Sequence, residues 1–172
     1  KVQDVFDAAG WLGRICAYVL PSYKLRNRFV QKRVNKILAA IPEYRALAGG
    51  EEIGLPSARA KDNAPGGAAN LALKRFGKGA LLFLGSNTET DFVEFSADTL
   101  VIDEYDHCDQ SNLALAWDRL RESPDPRVCL IGNPTLPNVG ISREYDDTDG
   151  RRWFMRCDRC GDGDVHGHRR LR

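Results

Sequence analysis

At 172 residues, with 42% apolar and 28% charged residues, the chain is long enough for one domain with a sizeable core and reads as globular. Its 25 Lys+Arg against 24 Asp+Glu leave a net charge of +1, so any attraction to a polyanion has to come from a local patch and not from the field of the whole domain. No run approaches the ~18 apolar residues of a membrane span, and the opening KVQDVFDAAG lacks a signal peptide's apolar core, so the expectation is a soluble, intracellular protein.

In chain order, VQDVFDAAGWLG predicts the end of a helix stopped near Gly10 or Gly13, and ICAYVLP a first buried strand closed by Pro21. From Tyr23 the pattern changes. Leu25, Phe29, Val30, Val34, Ile37, Leu38 and Ile41 recur at helical steps, with Arg26, Arg28, Lys32, Arg33 and Lys36 between them, which predicts an amphipathic helix with a basic face. That face suits phosphate contact along a DNA channel; its plain alternative is a solvated helix surface. Leu47 to Ala69, rich in Gly, Ala and Pro, predicts a long loop. NLALKRF and ALLFLGS flank Gly77-Lys78-Gly79 and predict a hairpin.

TLVID is a continuous apolar strand, of the kind found when helices cover both faces of a parallel sheet. SNLALAWDRLRES has helical spacing, with Asp109 or Ser111 as the cap, Trp117 in the core and Pro124 as the stop. RVCLIGNPT predicts another continuous, buried strand running into a Gly-Asn-Pro turn. Strands alternating with helices indicate an open, mostly parallel α/β sheet with flanking helices, whose ligands bind at the carboxyl edge.

Asp103, Glu104 and Asp106 follow TLVI directly. A carboxylate at the end of a central strand is rigidly held in the ligand crevice, where it can hold Mg²⁺ through water and substrate phosphates. A neighbouring glutamate can orient or deprotonate an attacking water, so Asp103 and Glu104 form a candidate pair for nucleotide hydrolysis. The alternative is a solvated strand-to-helix loop. The phosphate-cradling pattern G-x-x-x-x-G-K-[ST] occurs nowhere in the sequence, and Gly77-Lys78 lies between two strands rather than before a helix. With no initiator Met, an opening that reads as the tail of a helix, and a closing GDGDVHGHRRLR without periodicity or caps, the expectation is a fragment at both ends.

Of five cysteines, Cys16 and Cys129 lie in strand-like runs, where reduced, packed thiols favour a cytosolic setting; Cys108 and His107 beside the carboxylates read as structural. Cys157 and Cys160 form a C-x-x-C knuckle, half of a four-ligand Zn²⁺ site that His166 and His168 could complete on paper; the favoured alternative is a pair of loose surface thiols. The expected division is residues 1–156 as a partial catalytic domain and 157–172 as the start of the knuckle segment with an irregular tail.

AYVLPSYKLRNRFVQKRVNKIL, then LKRFGKGALLFLGSNTETDFVEFSADTLVIDEYDHCDQSNL, then IGNPTLPNVGISREYDDTDGRRWFMRCDRCG resemble, in that order, the ATPase domain of the large terminase subunit of tailed bacteriophages. The resemblance runs from about Ala17 to Gly161. It implies a partial RecA-like P-loop NTPase fold, here without the phosphate loop, and an ATP- and Mg²⁺-dependent motor that drives double-stranded DNA into a procapsid. It makes VIDE the Walker B segment, with Asp103 on the metal and Glu104 catalytic, and makes Gly132, Asn133, Pro134 and Thr135 the coupling turn that senses the γ-phosphate. Pro21-Ser22-Tyr23 falls where related motors carry a nucleic-acid-facing loop. The implied partners are the small terminase subunit, the portal protein and further copies in a ring, in the host cytoplasm and transiently at the portal. Other readings are a helicase-like DNA translocase and a non-catalytic remnant that binds DNA or a partner.

Overall fold

The computed structural model describes residues 2–48, 71–93 and 95–149. Two compact units divide the chain, residues 1–133 and 134–172. The first carries the sheet. Its elements run α1 (Val2–Leu12), β1 (Ile15–Leu20), α2 (Tyr23–Phe29), a π-helical turn (Val30–Val34), α3 (Asn35–Ala40), α4 (Pro42–Leu47), β2 (Leu73–Phe76), β3 (Gly79–Gly85), β4 (Thr99–Asp103), α5 (Gln110–Asp118) and β5 (Arg127–Ile131). In the second unit, Ile141–Asp146 forms α6 behind a turn in which Asn138 and Gly140 both take positive φ.

The five strands lie in the order β2-β3-β1-β4-β5. β1 pairs in parallel with β3 and β4, β4 pairs in parallel with β5, and β2 returns antiparallel on β3 at the edge. The mixed sheet with one antiparallel edge hairpin is as the sequence predicts. Gly13 takes φ +72°, which closes α1 as Arg14 N–H reaches back to Ala8 O at 3.1 Å. Gly77, at φ +58°, turns the β2–β3 hairpin.

Alternation along the strands divides the core between two faces. Cys16, Tyr18, Leu81, Phe83 and Val101 meet Phe6 of α1 and Val30, Val34 and Leu38 of the long helix in one buried cluster. Val19, Leu100 and Ile102 alternate onto the other face, and Phe92, Leu113, Ala116 and Leu120 are buried outside the first cluster. Burying side chains of this size stabilises by roughly 1.5–3 kcal/mol each.

The predicted basic helix is present as α2, the π turn and α3 in continuous succession, started by the Ser22 side chain accepting Leu25 N–H at 3.3 Å. Leu25 departs from its predicted core role and is 43% exposed: it lies a turn before Phe29, and the buried row begins only at Val30 and continues through Val34 and Leu38. Trp117 is likewise exposed rather than core, because α5 packs through Leu113 and Ala116, with Leu120 just beyond it. α5 ends at Asp118, before the predicted stop at Pro124, as Leu120 and Ser123 switch to bonds from three residues back. β5 also differs from its buried prediction. It is the edge of the sheet among the described residues, and its residues are exposed or half-buried, Cys129 included. Most of the predicted 47–69 loop, and the 157–172 segment with Cys157, Cys160, His166 and His168, lie outside the described residues. Among the described residues no helix is long and apolar enough to cross a membrane.

Candidate functional site

Because β1, β3, β4 and β5 are parallel, their carboxyl ends share one edge of the sheet. That edge gathers Pro21-Ser22-Tyr23 after β1, Ser86-Asn87 after β3, Asp103-Glu104 after β4 and Gly132-Asn133 after β5. Backbone and side-chain bonds tie the first two loops. Ser86 N–H donates to Leu20 O at 2.8 Å, its hydroxyl donates to Pro21 O at 3.0 Å, and Tyr23 N–H donates to Asn87 Oδ1 at 3.0 Å.

Asp103 is the last residue of β4 and is half-buried. It falls two residues after Val101, so its side chain leaves the sheet on the face that holds Tyr18, which pairs with Val101. The Tyr18 hydroxyl donates to Asp103 Oδ2 at 2.9 Å. Burial first, then the charge of Asp103, push the Tyr18 phenol upward, so it stays a donor.

Glu104 follows in the left-handed region, at φ 54° and ψ 50°, and is exposed. For a residue with a Cβ that conformation costs roughly 1–2 kcal/mol, and it persists where neighbours over-determine it. The neighbours are a short 3₁₀ turn, Tyr105–His107, anchored by buried Tyr105. His107 N–H donates to Glu104 O at 2.8 Å and the Cys108 thiol to Asp103 O at 3.5 Å. Gln110 Nε2 donates to Tyr105 O at 2.9 Å and to Cys108 O at 3.3 Å. Burial pushes the Cys108 thiol up to about 11, which keeps it protonated and structural. α5 then starts at Asp109, whose carboxylate accepts the Ser111 and Asn112 N–H groups at 3.0 and 3.4 Å; the Ser111 hydroxyl and these amides hold it below the usual carboxylate range.

Among the described residues, no three His, Cys, Asp or Glu side chains cluster closely enough to cage a metal alone. A single half-exposed carboxylate at a strand end does fit Mg²⁺, which keeps waters and substrate phosphates and takes only one or two protein carboxylates. Asp103 is thus the residue that would hold it, with Glu104 next to it in the chain. Of the predicted coupling turn, Gly132 and Asn133 end the first unit, while exposed Pro134 and Thr135 open the second.

Of the predicted basic residues, Arg28, Lys32, Arg33 and Lys36 are exposed along the helix. Arg26 differs: it is half-buried, donates to Asn27 Oδ1 at 3.0 Å and lies 3.6 Å from Asp91, whose carboxylate also accepts Gly85 N–H at 3.2 Å. Tyr18, Ser86 and Gln110 escaped the sequence reading. Alternation puts Tyr18 on the Cys16 face, but only the β1–β4 register brings it to Asp103.

Comparison with known proteins bears on this arrangement. A family model described as "Phage terminase large subunit gpA, ATPase domain" matches residues 14–171. No curated protein matches the chain. The fold is similar to that of the large terminase from a thermophilic bacteriophage (TM-score 0.55, 15% identity, covering 85% of this chain and 32% of that one). It is also similar to the large terminase ATPase domain of Thermus phage P74-26 (TM-score 0.50, 16% identity, covering 96% of this chain and 65% of that one). The chain therefore spans about a third of the length of the first of these proteins. At such identities the likeness concerns the fold, and it agrees with the expected RecA-like α/β arrangement.

Proposed function

Because this chain belongs to the phage terminase large subunit gpA ATPase-domain family, we propose that it is the part of an ATP-driven DNA-packaging motor that carries the hydrolytic carboxylates. The observation that carries the reading is the position of Asp103 and Glu104, consecutive at the carboxyl end of an internal parallel strand. When bound, Mg²⁺ with ATP supplies charge neutralisation at the phosphate oxygens.

Asp103 keeps one carboxylate oxygen bonded to Tyr18 and has the other for the metal side of the site. Glu104, exposed and held by its turn, orients the attacking water and accepts its proton. Gly132, Asn133, Pro134 and Thr135 link the state of the nucleotide to DNA movement. Arg28, Lys32, Arg33 and Lys36 meet DNA phosphates without reading sequence, as a motor that moves any genome requires. The substrate polymer is double-stranded DNA. The partners are the small terminase subunit, the portal and neighbouring copies in a ring, and the place of work is the host cytoplasm.

A second reading is a remnant that binds DNA or a partner without turnover. ATP hydrolysis by the full-length gene product, with and without DNA, separates the two. Turnover that Asp103→Asn and Glu104→Gln each reduce by at least about a hundredfold, within the range of transition-state groups, supports the motor. No turnover in any of the three proteins supports the remnant, and equal turnover in all three removes Asp103 and Glu104 from the chemistry.

A further inference from the structure

We propose that Tyr18 is a positioning residue that fixes the Asp103 carboxylate for the divalent cation, an inference that rests on the reading of Asp103 given above. Tyr18 is 6% exposed, and its hydroxyl donates to Asp103 Oδ2 at 2.9 Å across 85 residues of sequence. Its ring is packed on two sides. It stacks on Phe29 with centroids 5.0 Å apart and planes at 15°, and it tilts against Phe83 at 6.2 Å. Phe29 is the last residue of α2, and the buried Val30 and Val34 that follow pack the helix onto the same face. The carboxylate is thereby held by a donor whose own rotamer is set by aromatic packing on two sides. One lone pair of Oδ2 is occupied, and Oδ1 is left to the cation or its water.

A buried phenol needs a partner in any case, so the contact alone has a simpler explanation as a satisfied hydroxyl. What separates the two is the metal. Partners that orient a metal-binding carboxylate typically change metal affinity by about 10–100-fold when removed. A merely satisfied hydroxyl changes stability and leaves metal affinity alone.

The test is Tyr18→Phe in the full-length gene product, which removes one oxygen and keeps the stack on Phe29. Mn²⁺ is titrated by electron paramagnetic resonance in the presence of a saturating, non-hydrolysable ATP analogue, with Asp103→Asn alongside. The expected result is Mn²⁺ affinity about tenfold weaker in Tyr18→Phe. Affinity for the analogue at saturating metal stays unchanged, the KM for Mg²⁺ rises, and kcat recovers at high Mg²⁺. Asp103→Asn should lose the Mn²⁺ site. Wild-type Mn²⁺ affinity in Tyr18→Phe beside a lost site in Asp103→Asn overturns the inference and leaves the role of Asp103 standing. Wild-type affinity in both overturns both. If Tyr18→Phe melts below the assay temperature, Phe29→Leu, which frees the ring and keeps the hydroxyl, should weaken Mn²⁺ severalfold; unchanged affinity there also overturns it.

Discussion

The Ser86 hydroxyl accepts the Asp109 backbone N–H at 3.0 Å and thereby joins the end of β3 to the loop that follows the candidate carboxylates. The same hydroxyl donates to Pro21 O at 3.0 Å, and Asn112 Nδ2 donates to Ser86 O at 2.7 Å. One fully buried serine thus fastens the exits of β1, β3 and β4 to each other. Ser86→Ala leaves a carbonyl and an amide without partners, at a cost of about 1–3 kcal/mol. Thermal unfolding should show Tm falling by about 2–4 °C for each kcal/mol in a chain of this size. A Tm equal to wild type would mean that water replaces both bonds.

Lys74 lies in β2 and is 3% exposed, and burial pulls its ammonium down from 10.5 to about 8. Below pH 8 the folded state carries a buried charge. Between about 8 and 10.5 the unfolded chain binds more protons at this site than the folded one, so this site makes stability rise with pH through that window. Cys16 and Cys108, both pushed up to about 11, act in the opposite sense above pH 9. The difference between wild type and Lys74→Met cancels the thiols. Denaturant unfolding should find the stability of Lys74→Met relative to wild type falling by on the order of 1–3 kcal/mol between pH 7 and pH 10.5. A constant difference across that range would assign the effect to packing and not to charge.

Arg28 and Lys32 are exposed, one on α2 and one in the π turn. If they meet phosphates, Arg28→Glu with Lys32→Glu removes about two counterion-releasing contacts. The slope of log affinity against log salt should then flatten by about 2, at about 0.9 for each contact. Filter binding of double-stranded DNA to the full-length gene product across a salt series measures it, and an unaltered slope would return these residues to a solvated face.

The fold was largely legible because its strands announce themselves. ICAYVL, LLFLG and TLVID are apolar runs bounded by Pro, Gly and Asp, and each forms a strand where expected. Local periodicity was less sufficient for the helices. Leu25 and Trp117 sit at helical steps yet are exposed, since spacing says which side chains share a stripe and not how far the sheet beneath extends. β5 is apolar in RVCLI but half-exposed, because edge or centre is decided by topology. The candidate carboxylates were visible as an apolar run ending in Asp-Glu. Their supports were not: the Tyr18–Asp103 and Ser86–Asp109 bonds depend on strand order and register, which short-range patterns do not encode.

The most direct test is the identity of the nucleotide held by the full-length gene product carrying Glu104→Gln after incubation with radiolabelled ATP, Mg²⁺ and DNA. Glutamine keeps the size and the left-handed backbone of Glu104 but cannot take a proton from water. The account predicts protein-bound, uncleaved ATP in Glu104→Gln, where wild type holds and releases ADP. ADP formed at the wild-type rate by Glu104→Gln would contradict it and place the base elsewhere.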